Sequence, residues 1–223
     1  MRYTELLSMT RRHPSAVLLF VQLAGLLLYP FAETARGGPV VLGGFGIVVL
    51  IMTTRMVRAT PGLTWISVCI ALPAIVLLAL QMFVEGSEWL LPWSAALEAV
   101  FYFYAAASLI AYMMGDLHAT TDELFAAAAT FTLLAWGFMY LMVILQTLQP
   151  GCFAAAVNPQ APRSWTELMF LSFALLSSTG IGDVIPITPP ARALASIEMF
   201  VGVMYLAAVV SRLIGITLLR RDR

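Results

Sequence analysis

Six long apolar stretches divide the chain, at residues 14–33, 39–57, 62–84, 91–114, 123–148 and 190–219, and the helix-breaking and polar residues collect between them. Each supplies about the 20 or more mostly apolar residues that carry a helix across a bilayer. Gly37-Gly38-Pro39, Pro61-Gly62, Gly86, Pro92, Gly115 and Pro150-Gly151 punctuate the boundaries, and Thr120 with Glu123 has the spacing of a capping box for the fifth helix. The first stretch follows Arg11 and Arg12 and precedes Ala32-Glu33-Thr34-Ala35, the outline of a cleavable leader, but its length favours a retained helix. An even number of spans puts both ends of the chain on one side.

A seventh apolar piece, residues 164–177, is too short to cross. It opens with Ser164 and Glu167 at capping-box spacing and runs for about four turns, roughly 20 Å. Runs of this length are re-entrant or interfacial more often than spanning. Directly after it come Ser178-Thr179-Gly180-Ile181-Gly182-Asp183. Alternate glycines allow backbone angles closed to other residues, so successive carbonyls can turn toward one axis. A non-helical strand survives at membrane depth only if it is buried in protein or lines water. Four copies around an axis would offer rings of carbonyl oxygens in place of a cation's hydration shell. One copy cannot surround an ion, so the pattern calls for several copies around one axis.

Composition agrees with the spans: 61% of the 223 residues are hydrophobic and 11% charged, where a soluble domain carries about a quarter charged. Lipid is therefore a partner. Twelve basic residues balance twelve acidic ones, which removes any case for nucleic acid, and every basic residue is Arg, which excludes a lysine nucleophile or a Walker-type phosphate loop. Arg2, Arg11, Arg12, Arg55, Arg58, Arg212, Arg220, Arg221 and Arg223 fall on one side of the six spans, and Arg36, Arg163 and Arg192 on the other. That asymmetry predicts cytoplasmic termini. Trp89 and Trp93 suit an outer aromatic belt and Trp65 an inner one. An intramembrane serine protease is disfavoured, because His13 and His118 lie at span ends and no G-x-S-x-G occurs; the chain reads as a non-enzyme without a cofactor.

The stretch Ser177 to Asp183 resembles the T-T-V-G-Y-G-D signature of potassium channels, and Val184-Ile185-Pro186-Ile187-Thr188-Pro189 is similar to the segment that returns their chain to the inner helix. Residues 191–198, continuing through Gly202, Tyr205-Leu206-Ala207 and Ser211-Arg212-Leu213, resemble the inner helix of bacterial ion channels of the two-helix pore type; Leu148-Gln149-Pro150-Gly151 is similar too. The resemblance covers residues 123–219. It implies an all-α membrane protein of six transmembrane helices plus a re-entrant pore helix and selectivity filter, tetrameric, in a bacterial inner (plasma) membrane. Residues 1–122 would form a four-helix region and 123–223 the pore domain. Permeant K+ would meet Ser178, Thr179, Gly180 and Ile181, with Gly182 completing the turn and Asp183 at the mouth. Gly202 would be the gating hinge, and Val203, Leu206 and Val210 would line the cavity.

The filter departs from the pattern, with Thr179 for the usual Val and Ile181 for the usual Tyr, and Phe170 and Ala174 stand where some relatives have Trp and Glu. An Ile offers packing but no hydrogen bond, so the expectation is a looser filter that passes monovalent cations with weaker preference for potassium over sodium. The fourth span holds no Arg and a single charge, Glu98. One elementary charge gains only about 2.3 kcal/mol per 100 mV, so steep voltage gating is not expected. The few residues after Leu219 hold no nucleotide- or calcium-binding domain. Val203, Leu206 and Val210 share one helical face, which reads either as a dewetting gate or as simple packing. Glu198 is expected to support the filter through Ser172 or Ser177, or to act on the ion directly; Glu98 is placed near the outer interface, partly hydrated. Arg212 reads as snorkelling to headgroups. Cys152 reads as an outer-loop thiol, free or paired between subunits, and Cys69 as buried in span three. His118, beside Asp116, is either part of a pH-sensitive coupling or a solvated loop residue.

Overall fold

A computed structural model describes residues 14–33, 38–57, 64–84, 86–115 and 120–221. His118 and Asp116 lie outside the described residues, as do the N-terminal arginines. Four helices come first: α1 (Pro14–Glu33), α2 (Gly38–Val57), α3 (Thr64–Phe83) and, after a single 3-10 turn at Ser87–Leu90, α4 (Leu91–Met113). They are followed by α5 (Thr121–Leu148), a strand β1 (Phe153–Ala155), the short α6 (Trp165–Leu176), a strand β2 (Val184–Pro186) and the long α7 (Pro189–Arg221). Among the described residues, α1, α3, α4, α5 and α7 are long and apolar enough to cross a membrane, while the apolar stretch of α2, Gly43–Val57, is shorter. Trp65, Trp89 and Trp93 are all exposed on the outside of this bundle. The helical, apolar architecture is that of an integral membrane protein.

Helices in lipid gain little from hydrophobic association and rely on close packing and interhelical hydrogen bonds. The most extensive contact, α4 along α5, follows that rule: Ala95, Ala99, Ala105 and Ala106 are buried on α4, and Ala126, Ala129 and Ala135 on α5. Gly137 of α5 has the ring of Phe103 against it, 3.1 Å from where a methyl would stand. α1 is tied to α5 twice. Thr132 Oγ1 donates to Gln22 Oε1 (2.6 Å), and the Asp122 carboxylate caps α1 by accepting from the Ser15 amide (3.2 Å) and hydroxyl (2.8 Å). Helix N-termini carry partial positive charge, so a carboxylate is the suitable cap.

The segment between α5 and α7 is built on backbone polar groups that find partners one by one. The Gln146 amide accepts from the Arg163 N–H (2.7 Å) and donates to its carbonyl (2.9 Å). The buried Arg163 guanidinium donates to the carbonyls of Val157, Asn158 and Ala161 and pairs with Glu167 (3.1 Å). α6 starts in the capping box its sequence announces, with the Ser164 side chain accepting from the Glu167 N–H and the Glu167 carboxylate from the Ser164 N–H. β1 and β2 pair antiparallel, Phe153 opposite Pro186 and Ala155 opposite Val184; this small pairing is an addition to the all-α expectation.

Cys69 is exposed on α3 instead of buried, and Cys152 is a free thiol, one of its two expected states, but fully buried, so its sulfur is not presented for pairing between subunits. Burial also pushes the Cys152 thiol above its ordinary pKa, which lowers the thiolate fraction at neutral pH. In a Cys69→Ser background, a water-soluble maleimide at neutral pH is expected to label the folded protein roughly tenfold or more slowly than the unfolded chain; equal labelling rates would contradict the buried position.

Candidate functional site

The chain leaves α6 at Ser177 and doubles back, and the end of that helix satisfies it. The Ser178 N–H donates to the Leu175 carbonyl (3.0 Å), and the N–H groups of Thr179 and Gly180 both donate to the Ala174 carbonyl (3.1 and 3.3 Å). The last carbonyls of a helix have no partner within it, so a tight turn of extended backbone consumes them. The turn requires left-handed angles at Ser178 (φ 56°) and Gly180 (φ 69°). Gly180 takes them without cost, whereas a Cβ there would be strained. The Ser177 hydroxyl donates to the Phe173 carbonyl (2.6 Å) and lies 3.1 Å from Thr179 Oγ1. The Thr179 hydroxyl therefore has polar neighbours at the end of α6.

At its far end the segment is held by the hairpin, where the Ala156 N–H donates to the Asp183 carbonyl (3.1 Å). Among the described residues, no backbone N–H donates to the carbonyls of residues 178–182. All of Ser178, Thr179, Gly180, Ile181, Gly182 and Asp183 are exposed on the single chain, Ile181 to 62%.

α7 runs unbroken past this turn. Gly202 lies directly on the end of α6: a Cβ would stand 2.0 Å from the Leu176 carbonyl oxygen, a distance no side chain allows. Backbone contact between the two helices explains a glycine there independently of any hinge. One turn earlier, the fully buried Glu198 meets Ser172 through Oε1 (2.5 Å), and the Ser172 oxygen is also 2.8 Å from the Ala135 carbonyl. A hydroxyl has one proton for two acceptors, so Ser172 cannot donate to both Ala135 and Glu198 at once, and the other Glu198 oxygen, Oε2, is buried without a hydrogen-bond partner. The pairing is with Ser172 and not with Ser177, whose hydroxyl is engaged on its own helix. Val203, Leu206 and Val210 are 52%, 40% and 52% exposed and form an uncovered apolar strip on α7.

Two contacts of α7 were not expected from the sequence. The Tyr205 hydroxyl donates to the Ala127 carbonyl of α5 (2.6 Å). Arg212 does not snorkel: its guanidinium pairs with Glu123 at 3.0 Å, both side chains largely shielded. The signal for this pair was present as an arginine in an apolar helix and an acid in the first turn of another. Glu98 also differs. It is buried, 1% exposed, and accepts a hydrogen bond from Tyr140.

Residues 128–218 match a family model described as Ion channel. No curated protein and no solved structure matches the chain. The matched region begins within α5 and ends within α7, and it contains α6 and the whole turn after it. Less than half of the chain is matched, and the match supports an ion channel.

Two substitutions test the packing. Gly202→Ala is expected to force α7 off α6 at a cost of about 1–3 kcal/mol and to lower the melting temperature of the purified protein by several degrees; a glycine acting only as a hinge would leave it unchanged. Arg212→Gln leaves Glu123 shielded without its cation, a loss of about 3 kcal/mol. Adding Glu123→Gln should restore part of the lost melting temperature, and a double variant no better than the single one would contradict a coupled pair.

Proposed function

We propose that the chain is the pore-forming subunit of a homotetrameric cation channel, with six membrane-spanning helices, α6 re-entering the membrane, and both termini in the cytoplasm of a bacterial cell. The observation that carries the reading is the segment after α6. Its first N–H groups are consumed by the pore helix, and its carbonyls are left without backbone partners on an exposed face. Four copies around an axis would turn that face into stacked rings of oxygens that replace the hydration shell of potassium. Ser178 through Ile181 supply those oxygens, Gly182 completes the turn, and Asp183 stands at the mouth. Gly202 is then the place where α7 bears on the filter's base, and Val203, Leu206 and Val210 line the cavity below.

Ile181 is the feature that favours reduced selectivity. A large exposed apolar side chain without a hydroxyl makes no hydrogen bond to the pore helix, so the spacing of the rings is held by Thr179, Ser177 and the hairpin instead. Potassium is preferred over sodium, but by less than a filter braced through a tyrosine hydroxyl would achieve. α4 carries no arginine, and conduction is not steeply voltage-dependent. A subunit that keeps the pore outline without conducting is the reading that a failed flux assay would favour.

Purified protein in liposomes is expected to release potassium down its gradient, to release sodium at a measurable lower rate, and to release neither when Gly180→Ala strains the turn. Ile181→Tyr should raise the potassium-to-sodium permeability ratio read from a bi-ionic reversal potential. Wild-type protein that conducts no cation would overturn the channel assignment, and an unchanged ratio in Ile181→Tyr would overturn the account of selectivity.

A further inference from the structure

At the end of the bundle that carries the filter segment, a cavity of about 390 Å³ opens between the first four helices, α5 and the start of α6. Its walls are mostly apolar, and its polar groups are Glu98 and Ser94 from α4, Gln81 from α3, the hydroxyls of Tyr29 from α1 and Tyr140 from α5, and the indole N–H groups of Trp136 and Trp165. The Gln81 amide is engaged, donating to Ser94 Oγ (2.8 Å). Glu98 is only half engaged. One carboxyl oxygen accepts from Tyr140, while Oε2, fully buried, has no hydrogen-bond partner. Burying a carboxyl oxygen in a low-dielectric site without a donor is costly. None of the arginines among the described residues lines the cavity: Arg163 and Arg212 are paired with Glu167 and Glu123.

The rest of the wall is aromatic. Tyr29 stacks on Trp165 with ring centroids 3.5 Å apart, and Trp165 stands edge-on to Trp136 at 5.4 Å. The indole N–H groups of Trp136 and Trp165 also lack acceptors. Aromatic faces around one carboxyl group are the environment that attracts an organic cation. The unpartnered Oε2 narrows the class, because a quaternary ammonium has no N–H to give it, whereas a primary ammonium supplies a donor to Oε2 and a cation to the rings.

The geometry points to this cavity as a binding site for a primary ammonium group, held by Glu98 and flanked by Tyr29, Trp136 and Trp165. The group belongs either to a soluble amine or to the ethanolamine headgroup of a lipid, since the cavity lies between helices that face the bilayer. Trp165 is the first residue of α6, the helix whose other end holds the Ser178–Asp183 turn, so an occupant bears on the element that positions the proposed filter.

The test uses the full chain in phosphatidylcholine nanodiscs and titrates phenethylammonium and phenethyltrimethylammonium by calorimetry. Saturable binding of the primary amine is expected, with the quaternary analogue weaker by about tenfold or more, because it loses a hydrogen bond to a charged group. Glu98→Gln should weaken the primary amine by about 10- to 100-fold, and Glu98→Asp, which keeps the carboxylate, should retain part of the affinity. Gly180→Ala should bind like wild type, which separates this site from the pore and from the channel assignment. Nanodiscs containing phosphatidylethanolamine identify the source: competition with phenethylammonium indicates the lipid headgroup, and no competition a soluble amine. Absence of both amine binding and phosphatidylethanolamine retention in the wild type would overturn the proposal. So would equal affinity for the two amines, or full affinity in a folded Glu98→Gln.

Discussion

A polypeptide that leaves its helix inside a bilayer must find a partner for every amide it exposes, since lipid offers none. In the proposed re-entrant arrangement the turn after α6 would meet this demand with material already at hand, the spare carbonyls at the end of the helix it has just left. Ala174 serves two amides and Leu175 a third. Everything distal depends on this arrangement: the left-handed angles at Ser178 and Gly180, the hydroxyl contact between Ser177 and Thr179, and the return to β2 are the path the chain takes once those amides are fixed. Capping at the other end of α6 by Ser164 and Glu167 completes the same accounting, so a helix of only 12 residues leaves few orphan groups.

The long helix α7 is held against this element by contacts of different kinds at successive levels. Backbone meets backbone at Gly202, a buried carboxyl meets a hydroxyl at Glu198, and further along Tyr205 and Arg212 bind α5. The first two fix α7 relative to α6, and the last two fix it relative to α5. The proposed pore would thus be steadied near the turn by close packing and near its other end by polar bonds that a rearrangement could break and remake.

Much of this was legible in the sequence because it depends on local rules. Helix limits follow from apolar length and breakers, the capping boxes at Thr120 and Ser164 from four-residue patterns, and the turn at Ser178 from glycine spacing. What the sequence hid are pairings set by tertiary packing. Arg212 read as a lipid-facing cation because its partner lies 89 positions away, and Glu98 read as partly hydrated because the helices around it come from widely separated stretches of the chain. Cys152 read as a loop thiol, since its burial in the core comes from tertiary packing that no local pattern announces. Gly202 was noticed for its resemblance to a hinge, while the physical reason for it, the Leu176 carbonyl, requires knowing which helix crosses it.

The first turn of α5 holds two adjacent acids that bind different helices, Asp122 the start of α1 and Glu123 the far end of α7. The two helices therefore share one anchor. If α7 swings away from α5 at that end, it must either release Arg212 or pull the turn, and with it the capped end of α1, in the same direction. Any displacement of α1 is transmitted along the same route in reverse, so α1 and α7 are coupled through the neighbouring carboxylates of residues 122 and 123.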